Sequence, residues 1–226
     1  MNKRMVSATL LASAAMLASG ASHAQLNLKQ LGIGGGDTSS ADTATGTASA
    51  GGVTQLLQNY VGANQQVLAG QSSLASAMGL SSAAGQAQQA AGLLTGTPSA
   101  SQLSQVGSTQ QSLSQTLTQA FASRSGAASS GPLDKQAFSD GLASLGKGVS
   151  QYSSLQSGLG GIGQMNPSSL LQGGANPQTA QAASYIAKSA PGQLQSLAST
   201  LSQAVQFASN HGISVPSIAT SALKGF

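Results

Sequence analysis

Residues 138–159 read FSDGLASLGKGVSQYSSLQSGL. Within them Phe138, Leu142, Leu145, Val149, Tyr152, Leu155 and Leu159 recur at intervals of three and four residues. That spacing keeps one face of an α-helix apolar, whereas a half-buried strand would need strict alternation. The residues between them are Ser, Gly, Gln, Lys and Asp with one Ala, the composition of a solvated face. The stretch therefore reads as a helix packed on a core, opened by Ser130-Gly131-Pro132 and broken by GLGGIG at Gly158 to Gly163.

The same rule extends in both directions. Val53, Leu57, Tyr60, Val67, Leu74 and Met78 form one stripe, with Asn64 and Gln71 filling its two remaining positions. Gly62 and Gly70 weaken this helix by about 1 kcal/mol each relative to Ala, which makes Gly70 a place where it could break. Ser82 to Leu94 is Ala-rich and predicts a short helix ending before Gly96. Thr97-Pro98 reads as an N-cap followed by proline at the first helical position. The helix it opens carries Leu103, Val106, Leu113, Leu117 and Phe121, with Gln110 completing the stripe, and ends near Arg124-Ser125-Gly126.

Toward the C-terminus, Asn166-Pro167 opens a short helix over Ser168 to Gln172, and Asn176-Pro177 opens another over Gln178 to Lys188 that Pro191 terminates. A last long helix is expected from Gln193 to Asn210, with Leu194, Leu197, Leu201, Val205 and Ala208 inward and Asn210-His211-Gly212 as its C-cap. A short closing helix follows Pro216. Strand signals are nearly absent. The expectation is an all-α, irregular bundle of four or five principal helices after a disordered N-terminal segment. Its core is of Leu and Ala, with small faces that bring helices close but bury little area each.

The N-terminus carries a different signal. Lys3 and Arg4 precede a short apolar run from Val6 to Leu17, and Ser22-His23-Ala24 places small residues where a signal peptidase cuts. The run is shorter than the ~20 residues a membrane-spanning helix needs. Residues 1–24 are thus expected to be a cleaved signal peptide, with Gln25 as the mature start and a periplasmic or secreted location. Residues 25–52 are expected to be a flexible Gly/Ser/Thr-rich linker, and 53–226 the helical domain.

Only 5% of the residues are charged, with 8 Lys+Arg against 4 Asp+Glu, where a soluble domain carries roughly 25%. Cleavage after Ala24 would remove two of the basic residues and halve the formal charge of +4. A nucleic-acid partner finds no dense basic patch, and a membrane-surface helix would need Lys or Arg on its polar face, where this chain has Gln, Ser and Thr. There is no Cys, so neither disulfides nor thiolate metal sites enter.

Three motifs bear on chemistry. GLASLGKG at Gly141 to Gly148 resembles the phosphate-binding G-x-x-x-x-G-K-[ST], but Gly148 stands where the metal-binding hydroxyl belongs and the stretch lies inside a helical stripe. Gly158, Gly160 and Gly163 match G-x-G-x-x-G with no strand before them. His211 would be the one histidine of the mature chain, too few for a multi-histidine zinc site, and its position suits a helix C-terminus. Asp134, Arg124 and Lys188 read as charges matched to helix ends. No catalytic, cofactor-binding or metal-binding residues are therefore expected, no cofactor is expected, and the chain reads as a non-enzyme.

The stretch AASYIAKSAPGQLQSLASTLSQAVQFASNHGISVPSIATSAL (Ala182 to Leu223) resembles the C-terminal part of exported helical proteins of Gram-negative bacteria. This resemblance covers about a fifth of the chain and implies export and helical form, with no site residues to carry over. The Gly-, Ser- and Gln-rich, Cys-free composition is also similar to that of harpins, which lack a signal peptide of this kind. The functional expectation is an exported helical protein acting through contact with another protein or an envelope component. The alternative is a periplasmic carrier or sensor of an apolar ligand or lipid.

Overall fold

The computed structural model describes residues 50–125, 133–162, 167–172 and 174–225. The expected signal peptide and most of the expected linker lie outside them. Among the described residues there are seven helices and no strand: α1 (Ala50–Ala77), α2 (Ser81–Gly92), α3 (Ala100–Ser125), α4 (Lys135–Ile162), α5 (Pro167–Gln172), α6 (Pro177–Asn210) and α7 (Ser217–Leu223). Four of them, of 26 to 34 residues, build the body. The all-α irregular bundle is what the apolar spacing predicts.

The stripes of α1, α3 and α4 are buried as read, while on α6 the expected Val205 is only half-buried and Ala204 and Phe207 are buried beside it. Every member of the α4 stripe from Phe138 to Leu159 is buried, as are the α1 and α3 stripes including Asn64, Gln71 and Gln110. Helix directions follow from who meets whom. Gly70 lies against Gly141 and Leu145, and Gly148 lies against Ala63 and Val67, so α1 and α4 run antiparallel. Helix α3 runs with α1, since Gln110 reaches Asn64 and Arg124 reaches the Met78 carbonyl. Helix α6 runs with α3, because Gly107 lies against Tyr185 and Gln193 while Phe121 packs on Phe207. Thus α1, α3 and α6 point one way and α4 returns between them.

Helix ends show how local chemistry sets boundaries. Helix α1 closes in a Schellman turn: Leu80 N–H donates to Ala75 O at 2.8 Å, and Gly79 N–H donates to Ser76 O at 2.9 Å. The left-handed φ of +73° at Gly79 makes that turn possible. Helix α6 repeats it at Gly212, with Ile213 N–H on Ala208 O at 2.9 Å and Ile213 buried beneath. His211 is the C-cap, as its position in the sequence predicts; its Nδ1 lies 2.8 Å from Phe207 O and its ring stacks on Phe207 at 3.9 Å.

Several boundaries differ from the sequence reading. Helix α1 starts at Ala50, so Gly51 and Gly52 are helical rather than linker, and it passes Gly70 unbroken. The N-cap of α3 is Ser99, not Thr97. Ser99 Oγ accepts from Gln102 N–H at 3.3 Å, and Gln102 Oε1 accepts from Ser99 N–H at 2.8 Å, a reciprocal capping box that Thr97, with Ala100 three residues on, cannot form. Helix α4 continues through Gly158, Gly160 and Gly161 to Ile162, because Leu155 and Leu159 keep its stripe buried; Gly163 lies outside the described residues, as does the expected Ser130-Gly131-Pro132 opening. Asp134, the residue before α4, is matched to the helix end as expected and accepts from Ala137 N–H at 3.0 Å.

The largest difference is at Pro191, which does not end a helix. Helix α6 spans Pro177–Asn210 in one piece with Pro191 inside. A proline there removes one backbone hydrogen bond and costs about 3 kcal/mol. Ile186, Ala190, Leu194 and Leu197 are buried on both sides of it in unbroken helical phase, which offsets that loss. In consequence Lys188 is not at a helix end but in the middle of α6.

Candidate functional site

Asn64, Gln71 and Gln110 are polar residues standing at apolar stripe positions, and the fold brings them together. Asn64 Nδ2 donates to Tyr60 O at 2.7 Å, one turn earlier. Its Oδ1 accepts from Gln110 Nε2 at 2.8 Å and from the Tyr152 hydroxyl at 2.9 Å. Gln71 Nε2 donates to Gln110 O at 3.1 Å and to Ser114 Oγ at 3.0 Å. Helices α1, α3 and α4 are thereby tied by side-chain amides inside the core.

Gln193, in α6 two residues after Pro191, extends this layer. Its Oε1 accepts from the Tyr60 hydroxyl at 2.7 Å and, at 3.1 Å, shares with Asn64 Oδ1 the single proton of the Tyr152 hydroxyl, while its Nε2 donates to the Tyr185 hydroxyl at 3.3 Å. The Tyr60 and Tyr152 rings meet edge to face at 5.5 Å. Burial raises the pKa of both phenols, Tyr152 well above the ordinary range, with repulsion from neighbouring tyrosines adding to it. Both hydroxyls remain protonated donors. Two acceptors in the layer have no hydrogen-bond partner, Gln71 Oε1 and Gln110 Oε1.

The layer borders a cleft of about 420 Å³ between α3 and α6, with Gln110 and Gln193 among its lining residues. Gly107 keeps the two helices close here, since a Cβ would run into Gln193 Nε2 and the Tyr185 hydroxyl. On the other face of α3, toward α2, a shallower hollow of about 510 Å³ is lined by Gln86, Gln89, Gln105 and Thr109 among others. Most of the residues lining both are Ser, Thr or Gln.

GLASLGKG is a packing face. A Cβ on Gly141 would stand 2.9 Å from Leu74 N, one on Gly148 3.0 Å from Val67 N, and one on Gly146 2.8 Å from Ala219 Cα. Three glycines thus let α4 touch the backbones of α1 and α7, and Lys147 between them is exposed. Two of the described cations bond carbonyls at helix ends: Arg124 Nη2 donates to Met78 O at 2.9 Å, and Lys135 Nζ to Gly212 O at 3.4 Å. Among the described residues no three His, Cys, Asp or Glu gather as a metal site, and no helix is long and apolar enough to cross a membrane.

Searches of protein-family models, of curated proteins and of solved structures return no match to this chain. The sequence reading noted Asn64, Gln71 and Gln110 as stripe positions without foreseeing their meeting, and it missed Gln193. A carboxamide at an apolar register is the signal that marks such residues.

Proposed function

We propose that this is an exported, non-catalytic helical protein that works by contact with another protein or an envelope component. The observation that carries this reading is the way polar groups are used on the exposed faces. Many Ser and Thr hydroxyls there are bonded to their own helix, as with Ser108 on Ser104 O, Thr116 on Ser112 O and Ser123 on Gln119 O, at 2.8–3.0 Å. Three of the charges, Arg124, Lys135 and Asp134, bond carbonyls or N–H groups at helix ends. What faces outward is sparsely charged, partly self-satisfied and helical, a surface for contact rather than for acid–base work.

Export to the periplasm or beyond, with Gln25 as first mature residue, belongs to the same proposal and is supported by the Lys3-Arg4 start, the short apolar run and Ser22-His23-Ala24. The apolar-ligand alternative gains nothing from the two hollows, whose walls are Ser- and Gln-rich. Cross-linking in intact cells, followed by identification of the captured species, tests the contact reading; reproducible capture of one envelope or exported protein is the expected result. N-terminal sequencing that starts at Met1 would refute cleavage. A hydrolytic activity abolished by His211→Ala would overturn the non-catalytic reading.

A further inference from the structure

The cleft between α3 and α6 is built differently from an ordinary gap between helices. Its lining has five serines, three glutamines and one tyrosine, against one leucine and one lysine, with no carboxylate. Its volume of about 420 Å³ falls in the lower part of the range for small-molecule sites. Behind its wall Gln110, only 2% exposed, holds a carboxamide oxygen with no hydrogen-bond donor. Gln193, bordering the cleft from α6, is held in place by three tyrosine hydroxyls. The cleft thus lies beside a buried acceptor that lacks a donor and is bordered by an amide whose orientation is fixed.

We infer that this cleft binds a neutral, hydroxyl-rich ligand, of the chemical class of a mono- or disaccharide unit. An apolar guest would find Leu197 as the one large aliphatic side chain of the walls, and would take Ser104, Ser196 and Gln111 out of water, whereas Ser108 and Ser189 are already bonded to their own helix. An anion would find one cation, Lys188, which is exposed at the rim; a cation would find none. A polyol both donates and accepts at each hydroxyl, which is what a lining of hydroxyls and carboxamides both offers and requires. The ligand is either a free sugar or a unit of a glycan chain. The inference goes beyond the contact reading and stands or falls separately from it.

The test titrates the full chain with maltose and with N,N′-diacetylchitobiose, following the side-chain amide resonances of Gln193 and Gln111. At millimolar sugar we expect saturable shifts at these amides with at least one of the two. Gly192→Leu should weaken that binding about tenfold or more. It is a clean blocking variant, because Gly192 borders the cleft while a Cβ there would meet nothing within 4 Å. Leucine is also the better helix former, so the melting temperature should hold or rise while binding falls. Ser108→Leu blocks from the opposite wall and serves if Gly192→Leu does not fold. Tighter binding of longer soluble oligosaccharides marks a glycan chain as the source, and equal affinity marks a free sugar. Unmoved resonances with both disaccharides, sugar binding that both blocking variants retain, or saturation of the same amides by laurate or citrate instead would each overturn the inference.

Discussion

Asn64 and Gln110 sit side by side in the core, yet their replacement should have opposite consequences. Asn64 is fully buried and is the acceptor for both Gln110 Nε2 and the Tyr152 hydroxyl. Asn64→Leu leaves the Gln110 carboxamide with neither its donor nor its acceptor satisfied, and we expect a loss of about 3 kcal/mol. Gln110→Met removes one hydrogen bond but also an acceptor that had no partner, and Asn64 keeps its bond from Tyr152. Its stability should stay within about 1 kcal/mol of the parent. Urea denaturation of the two variants measures the contrast; equal losses would mean that the amide layer does not work as a connected unit. At this scale the sequence was half legible. A carboxamide at an apolar register is visible in it, but which helix faces which decides the partner, and that depends on packing order rather than spacing.

Among helices, α1 and α4 approach until one backbone touches the other. A methyl group on Gly70 would lie 2.5 Å from Leu145 N and 2.9 Å from Gly141 O, neither of which can swing aside. Gly70→Ala should therefore cost about 1–3 kcal/mol by overpacking, although alanine is the better helix former. Gly62→Ala, in the same helix with open space around it, should stabilise by about 0.5–1 kcal/mol. Thermal denaturation of the pair separates packing from propensity. The stripes of these helices could be read because burial follows the 3.6-residue period. Their ends could not always be read, because propensity and burial compete there. Pro191 and the glycines after Leu155 oppose the helix locally, but Ile186, Ala190, Leu194 and Leu197 continue in phase across the proline and Leu155 and Leu159 are buried. An unbroken stripe across a helix breaker is the sequence feature that should outweigh the breaker.

For the whole molecule, the two buried phenols link folding to alkaline pH. Tyr60 and Tyr152 are held protonated above the ordinary value of 10.0, chiefly by burial. In the unfolded chain they ionise near that value. The stability they contribute is fully present below about pH 10 and is lost as pH rises from there through the folded-state values. The helical circular dichroism should therefore collapse in that alkaline range. Tyr152→Phe should move the transition to higher pH while leaving neutral-pH stability little changed, since Asn64 Oδ1 retains Gln110 and Gln193 Oε1 retains Tyr60. An unshifted alkaline midpoint would assign the collapse to other groups. The same layer has an optical consequence. The chain has no Trp and three Tyr, and all three hydroxyls bond to the single carboxamide of Gln193. Its intrinsic ultraviolet emission thus comes from one place, where α1, α4 and α6 meet beside the cleft. Any event that disturbs that junction is visible in the unlabelled protein, and one confined to the distant phenylalanine end is nearly dark.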